Sequence, residues 1–308
     1  MAAVGDAGGA SVALVVMGNS TGARSRKVSA AARKQPRSRS AKADQAIGVF
    51  DSGVGGLTVL GALSRRLPRE NFIYVGDTAR VPYGSKSPDT VTGYAIEMAD
   101  FFAEREVKLM VVACNTVSSF ALELLRDRYP IPIVGVVEPG ARAALRVSRK
   151  KRVGVIGTEA TVSSGAYARH LRSLSPSVEI FTRACPLLVP LAEEGWTAND
   201  VARRTVSTYL ASLKKSGIDA LVLGCTHYPL LSEAIGRYMG TGVQLIDTAE
   251  ETAKDVKRVL AAEKIARTAG KGSASFFVTD HTDRFTRVGE RFYGSSVSSA
   301  VRIVLREE

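Results

Sequence analysis

From residue 46 onward, short unbroken apolar runs rich in β-branched residues alternate with longer stretches of helical periodicity. The runs fall at residues 46–50 (AIGVF), 71–75 (NFIYV), 109–113 (LMVVA), 133–137 (IVGVV), 153–156 (VGVI), 178–181 (VEIF), 220–223 (ALVL) and 243–246 (VQLI). A strand with one wet face alternates apolar and polar residues, whereas a strand covered on both faces is apolar throughout. Between the runs, residues 88–105, 118–128 and 198–216 read as helices. Strand and helix in alternation predict an α/β fold with mainly parallel sheets.

An internal echo sharpens this. Residues 47–52 (IGVFDS) resemble 153–158 (VGVIGT), and 111–116 (VVACNT) resemble 221–226 (LVLGCT), with Cys114 one place earlier in its run than Cys225. From Gly48 to Cys114 is 66 residues, and from Gly154 to Cys225 is 71. The chain thus reads as two pseudo-symmetric domains. Residues 46–142 with 249–308 are expected to form the first and residues 143–248 the second.

The 308 residues suit two domains of ordinary size. A 45% hydrophobic, 23% charged composition is that of a globular chain with a sizeable core. The only cysteines are Cys114, Cys185 and Cys225. So sparse and odd a set argues against a secreted disulfide framework and for a reducing cytoplasm, although the sequence itself does not forbid a Cys114–Cys225 bridge. No apolar run reaches the roughly 18–20 residues of a membrane span. The net charge of +12 resembles a nucleic-acid signal, but residues 1–45 hold eight basic residues against two acidic ones, half of the excess. That stretch is rich in Ser, Ala, Arg and Lys, and is expected to be a disordered, solvated extension. A targeting peptide and a polyanion-binding arm are the sharper alternatives. Nucleic acid is not an expected partner of the body.

In open α/β sheets ligands collect at the carboxyl ends of the strands. Asp51-Ser52, Asp77, Cys114-Asn115-Thr116, Cys225-Thr226-His227 and Asp247-Thr248 all fall there. Each of Cys114 and Cys225 precedes an expected helix N-terminus, where the dipole and free N–H groups favour a thiolate. Pro229 suits the first turn of the second helix. The turn Gly53-Val54-Gly55-Gly56 can cradle an anion. It lacks the third glycine of a dinucleotide turn, where Thr58 stands, so a substrate carboxylate is the more economical anion. Cys185, His170 and His281 have no supporting motif, and no set of four metal ligands recurs, so no metal is expected.

Residues 48–57 (GVFDSGVGGL), 76–84 (GDTARVPYG), 113–116 (ACNT) and 224–230 (GCTHYPL) resemble, in order, the motifs of bacterial glutamate racemases. The resemblance spans about residues 46–260 and implies two pseudo-symmetric α/β domains with the active site at the interface between them. It implies a racemase that needs no cofactor and interconverts L- and D-glutamate, supplying D-glutamate for peptidoglycan synthesis. It implies Cys114 and Cys225 as the catalytic pair, Asp51 assisting Cys114, and His227 and Glu193 assisting Cys225. Asp51, Ser52, Tyr83, Gly84, Asn115, Thr116, Thr226 and His227 would hold the substrate. The expected partner is glutamate alone, with no membrane; the sequence allows a homodimer.

The chemistry suits these residue types. Racemisation removes the Cα proton from one face and returns one to the other, which two opposed groups do better than one fixed base. A free thiol titrates near ~8.5, so modest tuning supplies both an ionised and a protonated partner. The carbanion then needs oriented N–H and hydroxyl donors on the α-carboxylate, for which Ser52, Asn115, Thr116 and Thr226 are suited. Two other readings are an aspartate racemase of the same superfamily and a binding module that uses the basic arm. The second leaves the echoed cysteines without a role.

Overall fold

The computed structural model describes residues 42–297 and 299–305, which belong to one compact unit. The expected disordered arm therefore lies outside the described residues up to residue 41. Among the described residues, ten strands form two sheets. The first has six strands in the order β10-β9-β2-β1-β3-β4, from β1 (Ile47–Asp51), β2 (Phe72–Gly76), β3 (Leu109–Val112), β4 (Ile133–Gly135), β9 (Ala274–Val278) and β10 (Val301–Arg302). The second has four in the order β6-β5-β7-β8, from β5 (Arg152–Gly157), β6 (Glu179–Ala184), β7 (Ala220–Gly224) and β8 (Gln244–Asp247). Every pairing among these strands is parallel.

The unbroken apolar runs of β1, β3, β5 and β7 are explained by cover on both faces, whereas β6 and β8, expected to be covered likewise, are edge strands with exposed positions. In the first sheet, Ile47 and Val49 of β1 pack with the helix Leu57–Arg66, through Leu57, Leu60 and Leu63. Phe50 turns the other way, onto Met98 and Phe102 of the helix Pro88–Glu104. In the second sheet Val153, Val155 and Val222 meet the helices Val137–Val147 and Ala166–Leu174. Full burial of each such side chain is worth roughly 1.5–3 kcal/mol.

The pairing register makes the internal echo exact to the residue. Gly48 of β1 lies opposite Met110 of β3, and Gly154 of β5 lies opposite Leu221 of β7. Cys114 and Cys225 each stand four residues beyond those partners. The one-place offset suggested by matching the runs as text disappears. In both sheets the strand order reverses at the corresponding place, β1 beside β3 and β5 beside β7, where open parallel sheets leave a crevice.

The local structure departs from expectation in four further places. The helix expected over 118–128 starts at Asn115, capped by Cys114, and is two helices, Asn115–Phe120 and Leu122–Arg128, that meet at Ala121. Cys225 is not followed directly by an α-helix: the 3-10 turn Tyr228–Leu231, with Pro229 in its first turn, precedes the helix Ser232–Met239. Strands β9 and β10 were not anticipated; β9 pairs with β2. Residues 42–45, expected at the end of a solvated arm, touch the body instead. The Ala43 carbonyl accepts from the buried Lys108 ammonium at 2.6 Å, alongside Glu70 Oε2 at 2.5 Å and the Ile265 carbonyl at 3.0 Å. A buried charge needs such partners, and this stretch of chain supplies one.

Candidate active site

A cavity of about 560 Å³ opens where the loops after β1, β3, β5 and β7 converge. Cys114 and Cys225 both line it, and both are free thiols. So do Ser52, Tyr83, Gly84, Asn115, Thr116, Glu193, Thr226 and His227. Of the residues expected to be catalytic or to hold the substrate, only Asp51 is absent from the wall. No Lys or Arg lines the cavity among the described residues.

Asp51 is the last residue of β1 and is fully buried. Its Oδ2 accepts from the backbone N–H groups of Gly53 at 3.1 Å and Gly56 at 2.9 Å. The glycine turn does cradle an anion, but the anion is the chain's own carboxylate rather than a substrate's. A neighbouring side chain five residues or fewer away reaches these N–H groups without any loss of translational freedom. Asp51 Oδ1 has no hydrogen-bond partner. Burial pushes the Asp51 carboxyl up, against the charge of His227 and the turn's N–H groups.

Cys114 Sγ lies 3.7 Å from Ser52 Oγ. Burial and the nearby Asp51 carboxylate push its thiol up to about 12, while the Val117 N–H and Ser52 pull the other way. The helix N-terminus thus acts in the expected direction on Cys114 and is outweighed, since desolvation opposes any charge in so closed a site.

Cys225 has different company. Its Sγ lies 3.8 Å from His227 Nδ1, and His227 Nε2 lies 3.1 Å from Glu193 Oε1. Burial disfavours a charged His227 ring, but hydrogen bonds and charge from Cys225 and Glu193 prevail and push it up to about 10. Glu193 is correspondingly held below the usual carboxylate range, against its burial, by His227 and Arg284. Gly55 of the first half sits directly against this loop: a Cβ there would fall on the Thr226 hydroxyl and the His227 ring. Thr58 Oγ1 also donates to the Thr226 carbonyl at 3.0 Å.

The remaining wall is polar and mostly prearranged. Asn115 Oδ1 accepts from the Tyr167 hydroxyl at 2.6 Å, while its buried Nδ2 has no partner. Thr116 Oγ1 bridges to Thr158 Oγ1 at 3.0 Å and Thr161 Oγ1 at 3.1 Å. The Tyr83 hydroxyl is committed to Asp77, away from the role of substrate donor, and Asp77 is further held by Arg80 at 2.6 Å and Thr279 at 2.8 Å. Asp247 caps the helix Thr248–Ala262 through Ala249 N at 2.8 Å and stands outside the cavity. Thr158, Glu159, Pro186, Val189 and Pro190 line the cavity and were not singled out from sequence. Thr158 was within reach, because the echo already set it against Ser52. Among the described residues, no three His, Cys, Asp or Glu side chains are gathered as a metal site.

Comparison with known proteins places the chain in a family. The model of the Asp/Glu/Hydantoin racemase family matches residues 47–256. A glutamate racemase of Geobacter metallireducens is 55% identical over 265 residues, 86% of this chain and 98% of the relative. The crystal structure of a glutamate racemase isoform from Bacillus anthracis matches with a TM-score of 0.82 and 38% identity, over 85% of this chain and 98% of that one. That of the Francisella tularensis glutamate racemase, in complex with D-glutamate, matches with a TM-score of 0.81 and 36% identity, over 85% and 98%. The chain belongs to the Asp/Glu/Hydantoin racemase family.

Proposed function

We propose that this amino-acid racemase interconverts L- and D-glutamate by proton transfer between two thiols, without a cofactor. The observation that carries the reading is one cavity holding two free cysteines at equivalent register positions, each with its own polar partner. The relatives named for glutamate support the substrate.

In the direction from L-glutamate, a Cys225 thiolate takes the Cα proton and becomes a thiol. The electron pair of the broken C–H bond passes into the α-carboxylate. Cys114, a thiol at neutral pH, then delivers its proton to the opposite face of Cα and becomes a thiolate. The reverse reaction begins with a Cys114 thiolate and ends with a Cys225 thiolate. A protonated His227 beside Cys225 is suited to balance the sulfur's negative charge. Asp51, with its raised carboxyl, is suited to pass a proton at the Cys114 end.

The carbanion needs donors fixed before the reaction. The unpartnered Asn115 Nδ2 and the hydroxyls of Ser52, Thr116 and Thr226 are of the right kind for the substrate's carboxylates. The product D-glutamate would serve peptidoglycan synthesis in the cytoplasm. Circular dichroism of L-glutamate and of L-aspartate with purified protein and no added cofactor tests the reading. Loss of the L-glutamate signal to zero, with L-aspartate unchanged, is expected. Decay of L-aspartate alone would overturn the choice of substrate.

A further inference from the structure

The C-terminal helix Thr282–Tyr293 belongs in sequence to the segment that extends the first sheet, yet one of its faces meets the Cys225 end of the cavity. Arg284 Nη2 donates to Glu193 Oε2 at 2.9 Å. The other oxygen of the same carboxylate faces His227 Nε2 at 3.1 Å, and His227 Nδ1 faces Cys225 Sγ at 3.8 Å. Two turns further along, Arg291 Nη1 donates to the Glu193 backbone carbonyl at 2.9 Å. Phe292 sets its ring edge-on to the His227 imidazole, with centroids 5.1 Å apart at 76°. Residues 284, 288, 291 and 292 follow the spacing of one helical face.

We propose that Arg284 is a positioning residue for the reaction: it orients the Glu193 carboxylate, which in turn holds His227 toward Cys225. A carboxylate on a side chain at the end of a short helix, Leu188–Glu193, has several rotamers open to it. A guanidinium on one oxygen leaves the other fixed for the imidazole. Arg291 holds the backbone of the same residue, and Phe292 limits rotation of the ring. Arg284 touches neither cavity nor thiol and acts through Glu193 alone. The charged groups facing Glu193 are His227 and Arg284, with Arg291 on its carbonyl, Glu159 on the same cavity wall and His281 on the small cleft beside Arg284.

The catalytic meaning rests on the reading of Cys225 as one of the two bases, so the test has an arm that needs no substrate. The chain has three histidines, His170, His227 and His281, so His227 is assignable by histidine-selective 15N labelling with His170→Gln and His281→Gln. A hydrogen-bonded Nε2–H resonance of His227 is expected in the wild type. It should persist to a lower pH there than in Arg284→Ala, because loss of the cation returns Glu193 toward its ordinary range. Arg284→Lys, which keeps the cation, should behave as the wild type. In kinetics, Arg284→Ala should lower kcat about tenfold with little change in KM. The acid limb of kcat/KM should move up by about one pH unit. Arg284→Lys should restore both. An unchanged His227 resonance and acid limb in Arg284→Ala, or a Lys variant as impaired as the Ala variant, would overturn the proposal. Racemisation surviving in Cys225→Ala would instead overturn the two-thiol reading and leave the spectroscopic result standing.

Discussion

Asp51 and Gly157 occupy the same place in the two sheets, three residues past the equivalent glycines Gly48 and Gly154, and only the first bears a carboxylate. The pseudo-symmetry that supplies two cysteines therefore stops short of their surroundings. The Asp51 carboxylate raises the Cys114 thiol, whereas Cys225 faces an imidazole tied to Glu193. The proposed two-base racemisation needs one thiol protonated and its opposite ionised at the start, so unlike surroundings at the two sulfurs are what it calls for.

Asp51→Asn removes the negative charge nearest to Cys114 and keeps the side chain's shape. The Cys114 thiol should then titrate below its wild-type position, because burial remains but one of its two largest upward influences is gone. The pH dependence of iodoacetamide labelling, read by mass spectrometry of the Cys114 peptide, measures this. A midpoint at or above that of the wild type would contradict the electrostatic role given to Asp51. In the same variant, initial kcat from the D isomer and from the L isomer should fall unequally, and His227→Asn should show its own unequal pattern. The two values of kcat/KM stay tied by the equilibrium. Equal losses of kcat in both directions would count against Asp51 and His227 as helpers of different thiols.

Gly55→Ala tests the closeness of the first half to the Cys225 loop. The added Cβ has no room beside Thr226 and His227, and neither neighbour is the free end of a flexible chain. The His227 ring should be displaced, and activity should fall by about a hundredfold or more, as small misplacements in active sites do. Circular dichroism and thermal melting should still show a folded protein, since the strain is local. A fully active Gly55→Ala enzyme would mean that the two loops are free to separate during turnover.

Much of the fold was legible because burial on both faces writes itself into composition. The runs at 109–113 and 220–223 could hardly be anything but covered strands. β9 was harder to see: it alternates buried with more exposed positions and follows a Gly- and Ser-rich stretch, so it reads as a loop. β10 has two residues, too few for any pattern. At the site, the motifs identified about two thirds of the cavity wall. They could not tell that the glycine turn was already filled by Asp51, or that the Tyr83 hydroxyl was already given to Asp77. Both facts depend on where side chains end up, and a motif specifies only their order. The contribution of Arg284 and Phe292 was invisible for another reason. The C-terminal helix reaches the site from 91 residues beyond Glu193 in the chain, with no local pattern to announce it.

The contact between residue 43 and Lys108 makes the choice of truncation point matter. Deleting residues 1–41 should leave both stability and turnover near those of the full chain, since the residues bearing the motifs and Ala43 all remain. Deleting residues 1–45 removes one of three acceptors of a fully buried ammonium. That should cost about 1–3 kcal/mol, a drop of several degrees in the melting temperature. Differential scanning calorimetry of the two truncations decides it. Equal melting temperatures would show that water replaces the Ala43 carbonyl without loss. Low activity in a folded 1–41 deletion would mean that the basic stretch contributes to the site.

The two-thiol mechanism makes the sharpest demand. Cys114→Ala and Cys225→Ala should each abolish racemisation, because each removes the group serving one face of Cα. Neither loss can be made good by the other thiol, since the two are reached from different sheets and carry different partners. Cys185→Ala is the control: that sulfur is fully buried, its nearest polar contact is the Arg183 carbonyl at 3.6 Å, and it is absent from the cavity wall. It should cost some stability, within the range of small core substitutions, and leave turnover in place. In D2O the wild type should place solvent deuterium at Cα of newly formed product. The unreacted substrate pool should stay largely protiated at early times, because a thiol that has just taken the proton returns it to the face it came from. Mass spectrometry of the separated isomers, at initial rates from L- and from D-glutamate, reads both pools. Deuterium entering substrate and product equally from the start would point to one mobile base or to fast exchange of the thiol proton with solvent. Near-normal racemisation in either single-cysteine variant would end the paired-thiol account.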